Sequence, residues 1–222
     1  MFVKRSILRT IILVFLYHST FAQLVNLVNI VGEVIRENKY TDIEGTPYLS
    51  EKFYDGYVLM QDGRKGNFPI KYDAFADKIL YMHKQVMYEL DKAEVREFSY
   101  TDTEQKKTFL FRNGFGTYNK NSDNAFYEVL YDGKHKLLKR YLVEKVTTKL
   151  FNSATTTIKF QLSEQWFIYT NKQLQPFKRN KKSFQTIFAH QPEVLRYIET
   201  QKLKLKTDEE IIKALKFLEG LE

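Results

Sequence analysis

AFYEVLYDGKHKLLKRYLV, Ala125 to Val143, is the stretch on which the fold class turns. A run rich in Tyr, Phe, Val and Leu stands on each side of Asp132-Gly133, and such runs have strand character. Asp-Gly accepts the positive φ angles of a type I′ turn. The spacing therefore predicts an antiparallel hairpin turning at residues 132 and 133. Its second arm also carries helix-like spacing at 137, 138, 141 and 142, so its far end toward Leu150 reads as either strand or helix.

The same grammar extends outward. In FYDGYVLMQDGRKGNFPIKYD, Phe53 to Asp73, Asp62-Gly63 reads as a turn joining Val58–Gln61 to a strand that reaches Tyr72. Asp55-Gly56 marks the way into the sheet, and Pro69 suggests an edge position because it has no N–H to give a ladder. Further strand candidates are 67–72, 78–83, 86–90, 95–100, 108–112, 125–131, 136–146, 158–162 and 165–170. Beyond Lys178 the apolar period becomes helical: Phe184, Ile187 and Phe188 share a face, and Pro192 suits the first turn of a helix carrying Val194, Leu195 and Ile198. In TDEEIIKALKFLEG, Thr207 and Glu210 have capping-box spacing, Gly220 ends the pattern, and Ile211, Ile212, Leu215 and Leu218 form the buried stripe. The expected fold is α+β, a mainly antiparallel sheet (meander, open or partly closed barrel or sandwich) followed by two or three helices. One domain spans 23–222: an arm or short helix over 23–47, sheet over 48–178 and helices over 179–222. In the first of these, apolar residues at 24, 27, 28, 31, 34 and 35 would line one helical face.

Residues 1–22 have the pattern of a secretory signal peptide. Lys4, Arg5 and Arg9 precede an apolar run, and Thr20-Phe21-Ala22 offers a cleavage site before Gln23. That run is shorter than the ~20 residues of a membrane span. The expectation is export to the periplasm or the extracellular space, with no transmembrane helix in the mature chain. The signal holds three of the 35 basic residues and no acid, which leaves the remainder at +5 rather than +8. No cysteine is present, so there is no disulfide, thiol nucleophile or cysteine-ligated metal, and packing must supply the stability.

Catalytic motifs are scarce. His83, His135 and His190 sit on different elements without metal-ligand spacing. NKNSDN, Asn119 to Asn124, starts like a calcium loop, but Asn124 stands where glycine is needed and Leu130 where a bidentate glutamate is needed. No G-x-S-x-G occurs, and NGFG at 113–116 lacks the length and lysine of a phosphate loop. In YELDKAEVREF, Lys92 and Arg96 interleave the acids, as on a solvated face. No metal, cofactor or catalytic residue is assigned. Two basic groups and one aromatic are the binding candidates: Lys172, Lys178, Arg179, Lys181 and Lys182; Lys136 and Arg140 among the cations after the hairpin; and Trp166, the only tryptophan. They suit an anionic envelope component or lipid; export argues against nucleic acid.

The signal ending at Ala22-Gln23, PYLSEKFYDGYVLMQDGRKGNFPIKYD, FYEVLYDGKHKLLKR and the terminal helices together resemble secreted proteins of Bacteroidota that have no assigned activity. The resemblance implies export and a single domain, and carries no catalytic residue. The leading expectation is a non-enzymatic envelope protein that binds a partner through a sheet face or cavity. A periplasmic carrier-like protein binding an acyl chain or lipoprotein, with an apolar cavity lined by Val129, Leu142, Trp166 and Phe167, is the alternative. An enzyme using scattered carboxylates such as Glu128 and Glu164 is the least favoured.

Overall fold

The computed structural model describes residues 32–35, 40–119, 123–149 and 156–220. These form an eleven-stranded antiparallel open sheet followed by three helices. The strands are β1 (Glu33–Val34), β2 (Tyr54–Met60), β3 (Lys65–Asp73), β4 (Lys78–His83), β5 (Val86–Leu90), β6 (Val95–Asp102) and β7 (Lys107–Arg112), then β8 (Tyr127–Asp132), β9 (Lys136–Lys149), β10 (Thr156–Thr170) and β11 (Gln173–Phe177). The helices are α1 (Lys181–Ile187), α2 (Pro192–Thr200) and α3 (Asp208–Glu219). Spatial order is β1-β5-β4-β3-β2-β6-β7-β8-β9-β10-β11.

The Asp132-Gly133 hairpin is present, but its turn differs from the expected one. Asp132 pairs with Lys136, so the loop has three residues, and a register shift lies between Val129 and Tyr131. Gly133 does not adopt a positive φ. Its hydrogen is needed because a Cβ there would lie 2.2 Å from a carboxylate oxygen of Glu219 and 2.6 Å from the Tyr131 ring. That carboxylate accepts from the His135 N–H at 3.0 Å and the Tyr131 hydroxyl at 2.6 Å, which ties the end of α3 to the hairpin. The second arm is strand throughout β9. At Asp62-Gly63 the expected turn holds, with Gly63 at φ 88°.

Three further differences have physical causes. The candidates 158–162 and 165–170 are one strand, β10, because β9 pairs continuously from Lys149 to Lys136 along it. Pro69 lies in β3, an interior strand, at the point where pairing with β4 stops: that ladder runs only from Ile70 to Asp73. Glu33 and Val34, inside the expected N-terminal helix, form β1 against β5; positions 24–31 and 36–37 of that expectation lie outside the described residues.

Cross-strand neighbours share a face, and this places the core. On β9 and β10, Leu137 and Ile168 face the helices, packing with Phe177, Phe184, Val194, Ile211 and Leu215. Farther along the same face, Tyr141 and Val143 join an aromatic core with Tyr72, Phe98 and Phe111. Phe98 and Phe111 stack at 4.7 Å, a contact that stabilises by about 1 kcal/mol beyond simple burial. The opposite face, with Leu138, Phe167 and Tyr127, is covered by Phe115 and Ala125 of the β7–β8 connection. The segment before β2 bridges Asp73 through Tyr48 and Lys159 through Glu44, so it crosses from β3 to the outer edge of β10.

Candidate functional site

Between the aromatic core and the helix-covered apolar cluster, one sheet face carries charge. The register explains why. Glu128 pairs with Lys139, Lys139 with Trp166, and Tyr141 with Glu164, so all five side chains emerge on one face of β8, β9 and β10. Glu128 is 2% exposed. One of its oxygens meets Lys107 Nζ at 2.6 Å, and the other accepts from the Tyr141 hydroxyl at 2.7 Å. Lys107 also donates to the Tyr141 oxygen at 3.3 Å. Burial first, and then the charge and hydrogen bond of Glu128, drive the Tyr141 pKa far above that of a free phenol; Glu164 adds to the effect.

The seam continues to Trp166. Its indole N–H donates to Asp208 Oδ1 at 2.9 Å, and Asp208 opens the first turn of α3, where an acid complements the helix dipole. Lys139, 7% exposed, places its ammonium 3.6 Å from Asp208 and 3.8 Å from Glu164, both longer than a hydrogen bond. Its Nζ lies 4.9 Å from the indole centroid, and the Arg179 guanidinium 4.3 Å from it. Arg179 reaches Asp208 only at 3.8 Å, and its buried Nε finds no hydrogen-bond partner among the described residues.

A cleft of about 420 Å³ opens beside this cluster, with Trp166, Phe167, Tyr118 and Pro176 as apolar walls and Lys178 and Arg179 as cations. It exists because two neighbouring strands differ in length. β11 stops at Phe177, opposite Trp166, whereas β10 continues back to Thr156. The chain then turns away: the Lys178 N–H donates to Ser183 Oγ at 3.0 Å, and Asn180 caps α1 by accepting from the Ser183 N–H at 2.8 Å.

Of the candidate binding residues, Trp166, Lys178 and Arg179 meet in this cleft. Lys182 borders a neighbouring depression of about 430 Å³ with Leu174 and Ile187. Lys181 is exposed at the start of α1. Lys172 occupies the β10–β11 turn, at the other end of those strands. Lys136 pairs with Asp132 at 2.5 Å. Arg140 is buried against the Tyr127 ring, with Asp77 at 3.8 Å and its Nη1 without a hydrogen-bond partner among the described residues. The two basic groups thus do not merge into one patch. Of the four residues expected to line an acyl cavity, Trp166 and Phe167 line this cleft, while Val129 packs with Phe167 on the β7–β8 side.

Sequence reading passed over Lys107 and Asp208. The available signal was alternation: in LLKRYLV, Lys139 shares a face with Leu137 and Tyr141, which puts a lysine in an apolar row. Among the described residues no group of three or more His, Asp or Glu is placed to hold a metal ion, and no helix is long and apolar enough to cross a membrane. No family model matches the chain, nor does any curated protein or solved structure.

Proposed function

We propose that this is an exported, non-enzymatic binding protein of the cell envelope that holds an anionic partner in the Trp166 cleft. The observation that carries the reading is Arg179, whose buried Nε has no hydrogen-bond partner among the described residues and whose ion pair with Asp208 is loose. A buried donor without an acceptor costs about 1–3 kcal/mol, and turning the guanidinium toward an incoming carboxylate, phosphate or sulfate oxygen would relieve that cost. Lys178 adds a second cation at the mouth, and the aromatic walls supply apolar area to a ligand's body. The signal-like N-terminus supports the compartment: mature protein recovered from the source cell should begin at Gln23, and an intact Met1 on that material would refute export.

The single tryptophan makes the binding reading testable without a label. Titration with phosphatidylglycerol vesicles, polygalacturonate or an acidic peptide should shift Trp166 emission saturably, and neutral counterparts should leave it unchanged. Arg179→Gln should weaken the response about tenfold, the usual effect of losing one charge-assisted hydrogen bond. No response to all three anions, or an equal response in the variant, would overturn the reading.

A further inference from the structure

We infer that the partner held at the Trp166 cleft is an extended acidic peptide segment of another protein, which adds as a short strand to the outer edge of β10 at Leu162 and Glu164. This rests on the binding role just proposed and names the chemistry of the ligand.

Backbone direction sets the argument. Near one end of β10, the Ile158 carbonyl accepts from the Glu44 N–H at 3.0 Å, and the Phe160 N–H donates to the Glu44 carbonyl at 2.9 Å. At the other end, Thr170 and Gln173 flank a two-residue turn in which Asn171 and Lys172 have φ 51° and 59°. In such a hairpin the flanking residues form a hydrogen-bonded pair. Even-numbered residues of β10 therefore direct their N–H and C=O groups outward along its whole length. From Trp166 to Thr170 those groups meet β11; at 158 and 160 they meet Glu44. Leu162 and Glu164 fall between, with two donors and two acceptors aimed at a space that no described strand occupies.

The gap has the dimensions of a binding slot. From Phe160 to Trp166 the strand rises about 20 Å, room for four or five residues of added chain. Every residue from Gln161 to Gln165 is exposed, although all are strand. Leu162, 49% exposed, offers an apolar contact on the face toward Val143, its cross-strand partner. Exposed sheet edges are normally blunted by proline, bulges or cover. The neighbouring edges follow that rule, with Pro176 in β11 and the Glu44 bridge over β10, whereas the gap has neither proline nor cover among the described residues and only the charge of Glu164. Backbone pairing of this kind selects an extended polypeptide over a lipid or a saccharide. The cations at its two ends, Lys159 on one side and Lys178 with the underused Arg179 on the other, outnumber the one acid between them, Glu164, and select acidic side chains.

The test is fluorescence anisotropy with a labelled peptide of about eight residues alternating valine and glutamate, against the same peptide N-methylated on the amides of one edge. The unmodified peptide should bind saturably and shift Trp166 emission. N-methylation should weaken binding about tenfold for each backbone hydrogen bond lost, and so should Leu162→Pro. That change removes an outward N–H and the exposed leucine side chain but spares the ladder to β9, which uses the odd-numbered residues of β10; the methylated peptide separates the two effects. If Leu162→Pro fails to fold, as judged by circular dichroism, the methylated peptide carries the comparison on unaltered protein. Equal binding of both peptides would overturn strand addition and leave the anion cleft standing. A Trp166 response to phosphatidylglycerol vesicles or polygalacturonate but to no peptide would do the same. Silence toward all of them would remove both readings. A Leu162-dependent dimer in size-exclusion chromatography would assign the edge to a second copy of this chain and overturn the inference.

Discussion

Glu128 is the carboxylate whose removal should be felt most. Glu128→Ala leaves the buried Tyr141 hydroxyl without its acceptor, a loss of about 1–3 kcal/mol. The vacated volume adds about 1 kcal/mol, because the surrounding rings cannot fully collapse into it. Lys107 contributes less, since its side chain is 35% exposed and can turn to water; about 0.5–1 kcal/mol is reasonable for that half of the pair. The sum, about 2.5–5 kcal/mol, is a large share of the 5–15 kcal/mol typical of a domain. Glu128→Gln keeps an oxygen for Tyr141 and loses only the charge, and should cost about 1–2 kcal/mol. Urea unfolding followed in parallel by Trp166 emission and circular dichroism gives both numbers. With a slope of about 2 kcal/mol per molar, the alanine variant's midpoint should fall by about 1.2–2.5 M. A fall below about 0.5 M, or an alanine variant no worse than the glutamine one, would refute the view that Glu128 is held by Tyr141 in a dry site.

Gly56→Ala should destabilise by about 3 kcal/mol or abolish folding, because a Cβ there would lie 2.1 Å from the Ser99 carbonyl oxygen and 2.8 Å from Tyr100 Cβ; a thermal melt within a few degrees of the parent would contradict it. Gly133→Ala should loosen α3 from the hairpin, and Glu219→Ala should relieve the part of the defect due to the carboxylate while the Tyr131 clash remains; hydrogen exchange at His135 and along α3 would read this, and fully additive effects of the two changes would count against it. Alkaline pH should unfold the protein early. Tyr54 and Tyr57 are pushed up to about 12 by burial and carboxylate hydrogen bonds, Tyr131 to about 12 mainly by its bond to Glu219, and Tyr72, Tyr100 and Tyr141 rise further. A raised phenol stabilises fully below the unfolded value of about 10 and progressively less as pH climbs through the folded one. Denaturant midpoints should be level up to about pH 10 and fall steeply above it; a level curve to about pH 11 would sink the assignment.

Local chemistry made the elements legible. The helix over 208–219 follows from Thr207, whose hydroxyl accepts from the Glu210 N–H, and from its apolar stripe. The strands follow from alternation and from Asp-Gly punctuation. What local chemistry could not give was register. Glu128, Lys139, Tyr141, Glu164 and Trp166 are scattered in sequence, and only the pairing of β8, β9 and β10 brings them together. The same holds for Gly133 and Gly56: both looked like turn or entry signals, and both are glycine because something distant comes close. Lys136 and Arg140 looked like free surface cations for the same reason. Asp132 and Asp77, which engage them, could not be matched to them from composition.

The cleft itself follows from where one strand is made to stop. β11 could lengthen only if its chain kept pairing past Phe177, because the position opposite Glu164 would then fall near Arg179. One local device prevents this: Asn180, in extended conformation at φ −157°, starts α1 at once, while the Lys178 N–H, which would face away from β10 in a longer β11, goes to Ser183. Pro176 is compatible with the arrangement, since it pairs opposite odd-numbered Phe167 and its missing N–H faces outward. The diversion also swings Arg179 back over Trp166, 4.3 Å from the ring, and leaves its Nε short of an acceptor. One stop signal thus exposes the edge of β10, opens the cleft beside it and supplies its cation. Asn180→Ala tests that logic. Loss of the cap should cost about 1 kcal/mol, and it should also loosen Arg179 from Trp166, raising the sensitivity of Trp166 emission to iodide quenching. A destabilised variant with unchanged quenching would show that the cap and the cleft are independent.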